Sequence, residues 1–162
     1  FAGLGAKSET YIVGAVDILK EVDCTLYPPT IISHYPSNPS VKGSISINEV
    51  IETINCNYNY SAERVDYKEQ LNRMNECDIY IEMNATEQGG KQYGSWGITA
   101  LEAAAMGKIV VTNHSTVDVY ERTYGTTPKL IIIDKYEDGL RGALNYLLNK
   151  SDEFLTILKK KA

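Results

Sequence analysis

The chain has 162 residues, 43% of them apolar, enough to bury a real core and, as a prior, to form one domain. A net charge of −5 with no basic stripe argues against a nucleic-acid partner, and the Lys159-Lys160-Lys161 run reads as a solvated helix end. Cys24, Cys56 and Cys77 show neither CxxC spacing nor a nearby His cluster, so they read as reduced thiols of a cytoplasmic protein rather than a metal site or a disulfide frame. No apolar run approaches the ~18–20 residues needed to cross a bilayer. No signal peptide is visible, and a start at Phe1 in apolar sequence reads as a fragment of a longer protein.

In chain order, Ser8-Glu9-Thr10 followed by YIVGAVDILKEV predicts a capped helix, with Ile12, Ala15, Val16, Leu19 and Val22 at helical spacing. CTLYP (24–28) predicts a short strand closed by Pro28-Pro29, with IISHYP (31–36) as its extension. SNPSVKGS (37–44) is loop by composition, and INEVIETI (47–54) a short amphipathic helix. NYNYSAERVD (57–66) is open between a strand and a loop leading into a helix from about Asp66 to Asn75. DIYIEM (78–83) has the β-branched and aromatic content of a buried strand.

TEQGGKQYGSWG (86–97) is a polar, Gly-rich loop, ITALEAAAM (98–106) a helix of strong propensity, and KIVVT (108–112) a buried strand. STVDVYERTYG (115–125) reads as a helix with a glycine stop, KLIIID (129–134) as a strand, GLRGALNYLLN (139–149) as an amphipathic helix and DEFLTILKK (152–160) as a last helix. Short apolar strands alternating with longer helices imply βαβ units: an α/β, Rossmann-like domain with a parallel sheet and helices on both faces.

In such sheets the ligand crevice lies outside the carboxyl ends of the strands, which is where the loop after DIYIEM falls. Gly89, Gly90, Gly94 and Gly97 let backbone come close to a ligand. The helix beginning at about Ile98 offers unpaired N–H groups and the positive end of its dipole to an anion. Glu102, one turn further in, is placed to accept from the vicinal hydroxyls of a ribose. Spacing alone also allows an ordinary α/β loop and a solvent-facing Glu.

The order DIYIEMNATEQ…YGSWGITALEAAAMGKIVVTN, then a helix ending in glycine, then LIIID, resembles the C-terminal, donor-binding domain of retaining GT-B glycosyltransferases. These form the group-one superfamily of nucleotide-sugar-dependent enzymes. The resemblance covers about residues 65–149 and is sharpest from Gly97 to Val111, where LEAAAMGK leads into IVV. It implies that Glu102 holds the ribose and that the N–H groups of Ile98 and Thr99, after Gly97, meet the donor diphosphate. It places the donor-binding loop at Gly94, Ser95 and Gly97.

The family's first motif Glu, which contacts the transferred sugar, falls on Gly94, so the motif is broken here. Either Glu87, in the enlarged loop, is the catalytic residue reaching the sugar, or the donor is handled differently. The family also neutralises the diphosphate with a cation pair near the start of this domain. Lys7 in GLGAKSE is the candidate, or else a solvated lysine before a helix.

The implied activity is transfer of a sugar from a nucleoside diphosphate sugar to a sugar, lipid or protein acceptor, metal-independent, without a cofactor, and retaining. An absent N-terminal domain would carry most acceptor contacts and any peripheral membrane association, leaving the fragment inactive by itself. The rival reading is a non-catalytic nucleotide-sugar-binding module of the same origin, favoured by Gly94. A reductase-type dinucleotide binder lacks support because GLGAKSE fails the GxGxxG spacing.

Of the two histidines, His34 in SHYPS reads as a loop residue, and His114, after a strand end, is the better general-base candidate. Trp96 reads as a packing anchor for the loop. Tyr120, Glu121 and Tyr124 either border the site or simply pack.

Overall fold

The computed structural model describes residues 30–85, 97–113, 121–122, 125 and 131–150, and the backbone of 87–88 and 91–92. The helix expected after Ser8, the strand at 24–28, most of the helix at 115–125 and the one at 152–160 lie outside the described residues.

The domain is built on β1 (Ile31–His34), β2 (Asn57–Tyr60), β3 (Ile79–Met83), β6 (Ile109–Thr112) and β7 (Ile131–Ile132). Every pairing among them is parallel, in the order β2-β1-β3-β6-β7. β4 (Glu87–Gln88) and β5 (Lys91–Gln92) form a separate antiparallel hairpin inside the segment expected to be loop. The helices are α1 (Pro39–Lys42), α2 (Ser44–Ile51), α3 (Tyr67–Asn75), α4 (Ile98–Ala105) and α5 (Gly139–Leu148). This is the expected α/β, Rossmann-like architecture. None of the described helices is long and apolar enough to cross a membrane.

Alternation along the strands divides the core between two faces. Ile32, Ile79, Ile81, Ile109 and Val111 pack with Ile47 and Ile51 of α2 and Leu140, Leu144 and Leu147 of α5. Tyr35, Tyr80 and Val110 on the opposite face pack with Met74 of α3 and with Ala100, Ala103 and Ala104 of α4. The alanines let α4 lie close to the sheet, which sets how deep its N-terminal turn sits. Asp78, which leads β3, accepts from Ile31 N at 3.0 Å and so ties the starts of β1 and β3 together.

Two local expectations are corrected, and a stretch left open between strand and loop is resolved. The segment 37–44 is not simply loop: Asn38 accepts from Val41 N, Pro39 opens α1, and Gly43 closes it with φ +70°. Asn, Pro and Gly break structure in most settings, but in this order they are an N-cap, a first helical residue and a left-handed stop. The ambiguous stretch resolves into β2 and a loop, with Asp66 capping α3 through its bond from Glu69 N at 2.9 Å. KLIIID does not run as a strand to Asp134: among its described residues Ile131–Ile132 join the sheet, and the chain then turns into a 3₁₀ segment, Ile133–Lys135.

Candidate functional site

β1 leads to β2 on one side of the sheet, while β3 leads to β6 on the other, so the carboxyl ends of β1 and β3 flank the point where the winding reverses. Doubly wound sheets open their ligand crevice there. Beside that point lies a cleft of about 420 Å³, lined among others by Tyr35 after β1, Arg64 after β2, Tyr67 of α3, and Thr99 and Glu102 of α4. Its size falls in the range of small-molecule sites. Thr99 and Glu102, three residues apart, share one helix face, so a single wall of the cleft carries both.

Glu102 is half-buried and accepts from the Tyr67 hydroxyl at 2.9 Å. The loop after β2, which lines the cleft itself, is tied to α3: Arg73 donates to Ser61 Oγ and to Glu63, both at 3.3 Å, and pairs with Glu69 at 3.5 Å. The cleft is therefore held by side chains of α3 and α4 and by a braced loop.

The N-terminal turn of α4 meets a second feature. Lys42, the last residue of α1, ion-pairs with Glu82 of β3, whose side chain is 1% exposed. The β3–β6 register shifts between Ile81 and Met83, leaving Glu82 as the extra residue of a bulge. A bulge re-aims a side chain at the end of a strand. Gly97, the N-cap of α4, lies on top: a methyl group there would run into Glu82 Oε1 and stand 3.1 Å from Lys42 Nζ. No side chain caps the helix at Gly97. The first turn of α4 thus runs from a half-enclosed cation at Gly97 to the cleft wall at Thr99.

The loop that carries Lys42 is clamped to the end of β3. Asn84 N donates to Lys42 O at 3.0 Å, and Asn84 Nδ2 donates to Ser46 Oγ at 3.1 Å. Gly43 packs on the Asn84 carbonyl, whose carbon would lie 2.7 Å from an added Cβ. Asn113, after β6, bonds Ala85 through both side-chain atoms, accepting at 3.2 Å and donating at 2.6 Å.

His34 is not a loop residue. It ends β1 fully buried, with Nδ1 at 2.8 Å from Ile81 O and Nε2 at 2.8 Å from Ser44 Oγ. A carbonyl only accepts, so Nδ1 carries the proton and Nε2 accepts from the serine hydroxyl. Burial pushes its pKa down to about 4, opposed by the Ile81 bond and assisted by the charge on Lys42. Both ring nitrogens are committed, so His34 is a neutral brace between β1, β3 and α2 and not a general base. Beneath the cleft, Tyr80 donates to Tyr35 O at 3.4 Å. Burial, followed by the charge of Glu82, holds the Tyr80 phenol well above its ordinary pKa, so it stays a neutral donor.

Among the residues singled out from sequence, Gly97, Ile98, Thr99 and Glu102 come together at one end of α4. Ile98 is exposed, and Thr99 and Glu102 face the cleft. Glu87 lies on the hairpin strand β4, where only backbone is described. Lys7, Gly94, Ser95, Trp96, His114, Tyr120 and Tyr124 lie outside the described residues, while Glu121 is exposed. Sequence reasoning missed Lys42, Glu82 and Tyr67. A charged residue inside the apolar run DIYIEM was the available signal for Glu82, because a carboxylate on a buried strand needs a cation. No protein-family model matches the chain, and no characterised protein matches it.

Proposed function

We propose that this domain binds the nucleoside diphosphate part of a sugar donor, and that the protein transfers that sugar to a sugar, lipid or protein acceptor, metal-independently and with retention. The observation that carries the reading is the arrangement of α4. Its uncapped N-terminus meets Lys42 at Gly97, and it presents Thr99 of that first turn and Glu102 of the next to the cleft. Amide N–H groups, a helix dipole and an ammonium suit a diphosphate, and a carboxylate one turn on suits the vicinal hydroxyls of the attached ribose.

On this reading Lys42 supplies the positive charge that the resemblance asks of a residue near the start of the domain. Glu82 holds the ammonium under the helix, and the partly exposed Lys42 keeps donors for a ligand. In transfer the leaving group is the nucleoside diphosphate, whose growing negative charge Lys42 and the first N–H groups of α4 would stabilise. Catalysis would then rest on positioning and electrostatics. The sugar-side residues of this reading are Glu87 and the Gly94-Ser95 loop.

The second reading is a nucleotide-sugar-binding module without turnover, and Gly94 at the motif's first acidic position favours it. Both readings predict nucleotide binding. Isothermal calorimetry with UDP, GDP and their sugars tests that shared prediction, and binding that is lost in Glu102→Ala supports it. If Glu102→Ala binds as well as the parent, the ribose role is wrong. Sugar turnover by the full-length protein, compared between parent and Glu87→Gln, separates enzyme from module.

A further inference from the structure

The Tyr67–Glu102 hydrogen bond joins the two helices that flank the cleft, and it lies at the exposed edge of the domain rather than in its core. Tyr67 is 65% exposed, and its hydroxyl reaches across 35 positions of sequence to Glu102 Oε1 at 2.9 Å. It sits on the first turn of α3, immediately after the Asp66 cap, so its reach is set by a fixed helix end. Both residues line the same cleft.

We propose that Tyr67 is a positioning residue that sets the selectivity of the site for ribose over deoxyribose, an inference resting on the nucleotide-binding reading above. An ionised carboxylate offers about four lone-pair sites. The phenol takes one on Oε1 and donates a single proton, which fixes the plane of the carboxylate and leaves acceptor sites directed into the cleft. A Glu on an alanine helix otherwise samples several rotamers, and ordering it at the moment of binding costs affinity. Tyr67 removes that cost in advance for a ligand with two adjacent hydroxyl donors. A deoxyribose brings only one of them and gains less.

The test is calorimetry of UDP, GDP and their 2′-deoxy counterparts against the parent, Tyr67→Phe and Glu102→Ala. The phenylalanine keeps the ring on the cleft wall and removes only the hydroxyl, at an exposed position. The expected result is that Tyr67→Phe lowers the ribose-to-deoxyribose preference by about threefold to tenfold, the range of one hydrogen bond, with a smaller loss of affinity for the deoxy ligands than for the ribo ligands. Glu102→Ala should abolish the preference.

If Tyr67→Phe keeps the parent's preference while Glu102→Ala loses it, the proposal is overturned and the ribose role of Glu102 stands. Equal weakening of ribo and deoxy ligands in Tyr67→Phe also overturns it, because the hydroxyl then only shapes the wall. A parent that binds none of the nucleotides overturns the nucleotide reading itself, and the proposal with it.

Discussion

Glu82 and Lys42 form an ion pair directly beneath Gly97, so the start of α4 rests on a buried acid and its cation. Two charges in a poorly hydrated place are tolerated only as a pair, since each offsets the desolvation of the other. The bulge in β3 aims the acid, and the turn of helix after Asn38 delivers the cation.

Removal of the cation alone should therefore be costly. Lys42→Met leaves an unpaired carboxylate under the helix and is expected to destabilise the domain by about 3–5 kcal/mol. Lys42→Met combined with Glu82→Gln should recover most of that loss, and urea unfolding of the single and double variants measures it. On the proposed function the double variant, although folded, should bind nucleoside diphosphates at least tenfold more weakly than the parent. Binding equal to the parent's would remove Lys42 from the site.

Gly97→Ala provides a steric test of the same contact. Its backbone, at φ −70° and ψ 155°, suits any residue, so the collision with Glu82 and the tight approach to Lys42 are what oppose a methyl group. We expect a loss of about 1–3 kcal/mol, typical of overpacking. In a Glu82→Ala, Lys42→Met background, where the space is open, the added cost should shrink to a few tenths.

Gly43 and Gly125 separate backbone strain from collision. Both have positive φ, +70° and +68°, but an added Cβ at Gly43 strikes the Asn84 carbonyl, while among the described residues nothing lies within 4 Å at Gly125. Gly125→Ala should cost about 1 kcal/mol, the penalty of the left-handed region. Gly43→Ala should cost clearly more, because the loop carrying Lys42 must leave the end of β3. Thermal unfolding of the two variants checks the order, and equal losses would refute it.

The buried His34 makes stability depend on acid. Its folded pKa of about 4 lies below the ordinary 6.5, so between those values the unfolded chain binds a proton that the fold refuses. Stability is fully present above pH ~6.5 and falls as the pH drops toward ~4, by about 3 kcal/mol from this group. His34→Gln, which does not titrate, should flatten that part of the profile even if its overall stability is lower. Urea midpoints between pH 4 and 7 for both proteins measure the difference.

The alternation of short apolar strands with amphipathic helices was enough to read the α/β class, because binary pattern and the period of each element are local properties. DIYIEM, ITALEAAAM and KIVVT appear as β3, α4 and β6 nearly as read. The position of the crevice followed from topology, and Glu102 was legible as a lone acid on an alanine-rich helix. The small helix at Pro39–Lys42 was not, since Asn, Pro and Gly signal a loop until their order is weighed.

The partners of the charged and polar groups belong to the tertiary structure alone. Lys42 meets Glu82 across 40 positions of sequence, Tyr67 meets Glu102 across 35 and His34 meets Ile81 across 47. Composition marks such groups as costly to bury but does not say what compensates them. Chain folding settles that, because the sheet order brings the ends of β1 and β3 side by side and a one-residue bulge turns Glu82 toward the helix. Local pattern specifies which segments form elements; the identity of each buried charge's partner is a property of how those elements pack.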